Sequence, residues 1–88
     1  MVIGLTMIKV SLGREKSVYA DLQKRAGIRD VYRLFGEYNF FLVMQAEGKM
    51  DLGKMLHEIE NEESVIETGP ILFTAESDHE VRSAAAFG

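Results

Sequence analysis

The chain has 88 residues and a formal net charge of −4, enough for one domain near the lower limit of what buries its own core. It contains no cysteine, which excludes disulfides and thiolate metal sites as staples. Its 47 % hydrophobic content is that of an ordinary globular protein; with no apolar run of membrane-spanning length and no charged-then-apolar leader, the expectation is a cytoplasmic protein without membrane association.

Residues 2–12 open the chain as a strand. Val2, Gly4, Thr6, Ile8, Val10 and Leu12 fall on one side and Ile3, Leu5, Met7, Lys9 and Ser11 on the other, so apolar groups occupy both faces and little of the strand is exposed. Gly13 breaks it. Residues 14–26 place Val18, Tyr19, Leu22 and Ala26 at helical spacing, with Gly27 positioned for the left-handed conformation that ends a helix. A second strand covers residues 28–35, the turn Gly36-Glu37-Tyr38-Asn39 follows, and residues 40–46 return antiparallel. After a short loop, Asp51 is expected to cap a helix in which Leu52, Met55, Leu56 and Ile59 recur at i, i+3, i+4 and i+7. Glu58, Glu60, Glu62 and Glu63 oppose the dipole at its end, so the helix should fray near Asn61. Residues 65–75 read as a last strand, interrupted at Gly69-Pro70 because proline cannot donate to a ladder. Residues 76–88 show no repeating apolar face and are read as a tail.

Strand, helix, strand, strand, helix, strand with short connections predicts an α+β fold, the ferredoxin-like βαββαβ sandwich, with both helices on one side of a four-stranded antiparallel sheet. The domain is residues 1–75 and the tail 76–88. Apart from Arg33 and Gln45, the runs at 31–35 and 40–46 are apolar at consecutive positions, so the sheet face not covered by helices is expected to leave water as well. Sheet-to-sheet packing into a dimeric α+β barrel is the simplest closure. Charge is distributed unevenly: residues 1–35 carry seven Lys or Arg against three acids, residues 36–88 three against eleven. That suits complementary surfaces in an assembly or, more simply, two solvated helix faces, and it is a poor match for direct nucleic-acid binding.

No catalytic constellation stands out, so the expectation is a protein that is not an enzyme and needs no cofactor. His57 with Glu60 or Asn61 has metal-ligand spacing on a helix, but a solvated histidine accounts for it, and His79 lies in the tail. Met7, Met44 and Met55 occupy apolar positions as core filler. The turn differs: Gly36 permits positive φ, Tyr38 offers a ring with a polar tip, and Asn39 offers a carbonyl and an amide. Such a turn either presents polar groups to a small zwitterion or is simply a hairpin turn of ordinary composition.

At these residues the chain resembles the effector-binding half of the leucine-responsive/asparagine regulator (Lrp/AsnC) family, the RAM domain. The resemblance spans residues 2–75. It rests on the element order, on Ile-Arg-Asp-Val-Tyr-Arg-Leu-Phe-Gly at 28–36, on Gly36-Glu37-Tyr38-Asn39 before an apolar strand, and on Ile59 with Val65-Ile66-Glu67-Thr68 leading into Ile71-Leu72. It implies a homo-oligomer in which sheet-paired dimers form octamers or decamers, with an amino acid as small-molecule effector in clefts where dimers meet. Ligand-binding residues carried over by position are Gly36, Tyr38, Asn39 and Thr68. The family's full-length members carry a helix-turn-helix ahead of this domain; beginning with the first strand, this chain resembles the stand-alone versions, with an Lrp/AsnC-type regulator as partner for mixed assembly in transcription regulation.

Three positions depart from the family pattern. Asn39 stands where an aspartate is usual, which removes a charge-assisted bond to an ammonium group worth about 1–2 kcal/mol more than a neutral one. Pro70 replaces a second threonine, and Phe35 replaces a small hydroxyl residue. Weak or altered amino-acid binding is therefore expected. The same topology also serves dimeric α+β barrel enzymes, small oxygenases or isomerases, and an assembly scaffold without ligand is the remaining alternative.

Overall fold

The computed structural model describes residues 1–73. Its elements are β1 (Val2–Val10), α1 (Glu15–Lys24), β2 (Ile28–Arg33), β3 (Phe40–Ala46), α2 (Lys49–Glu60), β4 (Val65–Thr68) and β5 (Leu72–Phe73). The strands form one sheet in the order β2-β3-β1-β4, with β5 also paired to β1, and every pairing is antiparallel. This is the ferredoxin-like α+β sandwich that the element order predicts. The expected tail at 76–88 and the end of the domain at 75 lie outside the described residues.

β1 is central because both its faces tolerate burial. Its even residues are all buried and its odd residues half-buried. The even face lies under the helices: Val2, Ile8 and Val10 join Phe40, Leu42 and Met44 of β3, Val18 and Leu22 of α1, and Leu52 and Ile59 of α2 in one core. Tyr19 fastens α1 to the sheet by stacking on Phe40 at 5.9 Å between ring centroids. Gly4 sets how closely α2 approaches, since a Cβ there would stand 2.6 Å from Leu52 Cδ2. Directly opposed residues share a face, so the pairings Leu5 with Val43, Met7 with Phe41, Tyr32 with Phe41 and Leu5 with Leu72 define a second apolar surface. Neither helix covers it.

Several boundaries differ from those read in the sequence. α1 stops at Lys24 because Arg25 turns to extended backbone (φ −77°, ψ 129°), and Gly27 takes the positive φ of 90° that the chain needs to enter β2. Asp51 does not cap α2. Gly48 holds the cap position, and Asp51 sits in the first turn, where its charge favours the helix dipole. β2 ends at Arg33, leaving a six-residue loop at 34–39 in place of a four-residue turn, and Phe35 is 98 % exposed there. The last strand divides at Gly69-Pro70 into β4 and β5, as proline requires. The break does not orphan its carbonyls: the buried Thr6 hydroxyl lies 3.1 Å from the Pro70 carbonyl oxygen and 3.2 Å from that of Gly69. Among the described residues no helix is long and apolar enough to cross a membrane.

Candidate functional site

The 34–39 loop is tied to β1 rather than left to project freely. The Leu34 N–H donates to the Asn39 carbonyl at 2.8 Å, closing the loop, and the Asn39 N–H donates to the Ile8 carbonyl at 2.8 Å. β3 begins at Phe40, opposite Ile8, so β1 runs two residues beyond its neighbour. The Val10 N–H has no strand to meet on that side. Asn39 Oδ1 accepts it at 2.8 Å, so one side chain extends the ladder where the backbone has left it. The amide nitrogen of Asn39 takes no partner among the described residues and remains a donor at the loop.

Tyr38 folds back across the uncovered face of the sheet. Its hydroxyl donates to Glu67 Oε2 at 3.3 Å, and its ring passes over Gly69, where a Cβ would stand 3.4 Å from Tyr38 Cζ and the hydroxyl oxygen. Partial desolvation raises the Tyr38 hydroxyl above its ordinary value, and the charge and hydrogen bond of Glu67, with a smaller contribution from the charge of Glu37, raise it further. The tyrosine therefore works as a neutral donor and an apolar lid on one corner of the sheet.

Thr68 is near in sequence but faces the other way. Glu67 pairs opposite Lys9 and Thr68 opposite Ile8, and consecutive strand residues point to opposite faces. The Thr68 hydroxyl accordingly donates to Glu60 Oε2 of α2 at 2.7 Å, while His57 Nδ1 of the same helix lies 3.9 Å from Glu60 Oε1. Gly36 sits at the exposed end of the loop with φ 122°, and nothing lies within 4 Å of where its Cβ would be. Within one subunit the structure thus joins Tyr38 and Asn39 at the end of β1, sets Thr68 on the helix side of β4, and leaves Gly36 apart from all three. Among the described residues no group of three or more His, Asp or Glu side chains could hold a metal ion.

Sequence reasoning missed Glu67 and Gly69 as parts of this corner. The alternation of β4 puts Glu67 on the uncovered face, and a glycine just before the strand break lets the end of the tyrosine ring come close to the backbone. Both signals depend on knowing that the 34–39 loop reaches β4 across β1.

No family model matches the sequence, and no curated protein does. Solved structures do resemble it. A hypothetical protein from Pyrococcus horikoshii superposes with a TM-score of 0.80 at 20 % identity, covering 92 % of this chain and 98 % of that one. FFRP-DM1 gives 0.80 at 20 % identity over 85 % of this chain and all of the other (100 %). AsnC of E. coli gives 0.72 at 18 % identity over 88 % of this chain, which spans only 52 % of AsnC. At such identities the likeness is one of fold, and the chain has the ferredoxin-like α+β fold that these proteins share.

Proposed function

We propose that this chain is an Lrp/AsnC-type, RAM-like module that senses a small metabolite and assembles with copies of itself, acting in transcription regulation by binding rather than catalysis. The observation that carries the reading is the apolar sheet face that the helices leave uncovered, built around Leu5, Met7, Phe41 and Val43. A surface of this kind on a small chain is stabilised by burial against another sheet at about 25 cal/mol per Å² of apolar area removed from water. The likeness in fold to an AsnC family transcriptional regulator from Agrobacterium tumefaciens, with a TM-score of 0.70 at 12 % identity, supports the same reading.

In this proposal two sheets pack face to face, and dimers group into octamers or decamers. An amino acid or related metabolite then binds where dimers meet, beside the 34–39 loop. Gly36 leaves open space at the loop end, Tyr38 supplies a wall, and the free amide nitrogen of Asn39 offers a donor suited to a carboxylate. Thr68, on the far face of β4, reaches such a ligand only if a neighbouring subunit brings the helix side of its sheet to the cleft. Because the ligand bridges subunits, binding and assembly are linked. Mixed assembly with a DNA-binding homologue would carry the signal onward.

Native mass measurement combined with calorimetry against the twenty amino acids tests this. Dimers or larger rings, with heat evolved and a mass change for at least one amino acid, are the expected result. A stable monomer at micromolar concentration that evolves no heat would refute it. One observation favours a second reading, a scaffold without ligand: the Asn39 carbonyl, the Tyr38 hydroxyl and the Thr68 hydroxyl each already have a partner inside the subunit. Under that reading the native protein assembles but binds no amino acid, and Asn39→Asp creates binding by restoring a carboxylate.

A further inference from the structure

We propose that the groove between α1 and α2, on the opposite side of the sheet from the loop site, binds a small aliphatic ammonium compound. The groove holds a cavity of about 170 Å³. Its floor is apolar and belongs to the core: Val18 and Leu22 of α1, Ile59 of α2 and Val65 of β4. Its rim is charged, with Asp21 and Arg25 on one side and Glu62 on the other. The space suits a small molecule rather than a large one. That is well below a drug-sized site, which occupies about 300 Å³ or more.

The charges decide which small molecule. Asp21 and Arg25 are four residues apart on α1, the spacing at which such a pair ordinarily closes on its own helix. Here Arg25 reaches across instead, with Nη1 3.2 Å from Glu58 Oε1 and Nη2 3.1 Å from Glu62 Oε2. The Asp21 carboxylate is left without a partner among the described residues, at the mouth of a cavity whose floor is apolar. The rim carries two carboxylates against one guanidinium, a surplus of negative charge that favours a cation. A ligand with an ammonium head for Asp21 and a short branched tail for the floor satisfies both features. Arg25 has spent two of its five N–H donors on glutamates, so a carboxylate on the same ligand can be accepted but is not required. All of these residues come from one subunit, so the proposal is independent of assembly.

The test is a titration of the isotope-labelled full chain, observed by NMR, with isopentylamine, leucine and the uncharged isopentanol. Isopentylamine is expected to shift the methyl resonances of Val18, Leu22, Ile59 and Val65, and Asp21→Asn, an exposed change that leaves the core intact, should weaken it at least about tenfold. Leucine binding more tightly than the amine identifies free amino acids as the source of the ammonium group, and amine binding alone identifies decarboxylated amines; either outcome supports the site. The proposal is overturned if neither isopentylamine nor leucine moves these resonances at millimolar concentration, if isopentanol binds as well as isopentylamine, or if Asp21→Asn binds as tightly as the native chain.

Discussion

Replacing Asn39 by alanine separates a latch from a ligand contact. In the native chain the Val10 N–H sits on a residue that is 4 % exposed and donates to Asn39 Oδ1 at 2.8 Å, beyond the end of β3. Alanine removes the acceptor and puts no strand in its place. A partly buried donor left unpaired costs about 1–3 kcal/mol. Because water can reach part of this corner, the lower half of that range, about 1–2 kcal/mol, is the expected loss. For a domain of this size each kcal/mol corresponds to about 4–8 °C in melting temperature. Thermal unfolding should therefore fall by about 5–15 °C, and hydrogen exchange should show the Val10 amide losing protection while amides in the middle of β1 keep theirs. Asn39→Asp retains an acceptor and should stay close to native stability at neutral pH. If Asn39→Ala melts with the native protein and the Val10 amide stays protected, the side chain does not hold the end of β1 and the account of the loop is wrong.

Gly4→Val should cost at least about 2 kcal/mol in urea unfolding, because even its Cβ would stand 2.6 Å from Leu52 Cδ2 in a filled core; native stability would mean that α2 does not rest on β1 at this point. Leu5→Asp places a charge on the uncovered sheet face without entering the helix-side core, so native mass spectrometry should find monomers that retain the native circular dichroism spectrum. Persistence of the oligomer would move the interface elsewhere. Glu67→Gln should bring the raised pKa of the Tyr38 hydroxyl back toward its ordinary value of 10.0, detected by ultraviolet titration of the phenol against a Tyr38→Phe control. The sign follows from the direction of the shift. A pKa higher in the folded than in the unfolded state means that the native protein holds this proton more tightly, so the contribution to stability is complete below pH 10.0 and is lost as pH rises through the folded-state value. The alkaline loss of stability should therefore be smaller in Glu67→Gln; an unchanged profile would show that Glu67 does not act on Tyr38.

Local pattern in the sequence decides the order and nature of the elements. Period-two alternation marks β1, helical spacing of Val18 and Leu22 and of Leu52 and Ile59 marks the helices, and Gly69-Pro70 marks the strand break, because each reflects the backbone's own geometry over a few residues. The ends of elements are less legible. Arg25 is an ordinary helix former, yet its backbone is extended and its side chain pairs with Glu58 and Glu62, which are more than thirty residues away in the chain. Phe35 reads as one more strand residue by composition, yet β2 stops at Arg33 because the loop is closed from Leu34 to Asn39. Functional position was the least legible of all. The family resemblance places Gly36, Tyr38, Asn39 and Thr68 in one proposed set, but only the pairing register sets Glu67 and Thr68 on opposite faces, gives Asn39 an unpaired N–H to satisfy, and leaves Asp21 alone at the mouth of a cavity. Those outcomes depend on which distant backbone groups arrive beside each side chain, and that is a property of the assembled sheet and helices, which no local run of residues encodes.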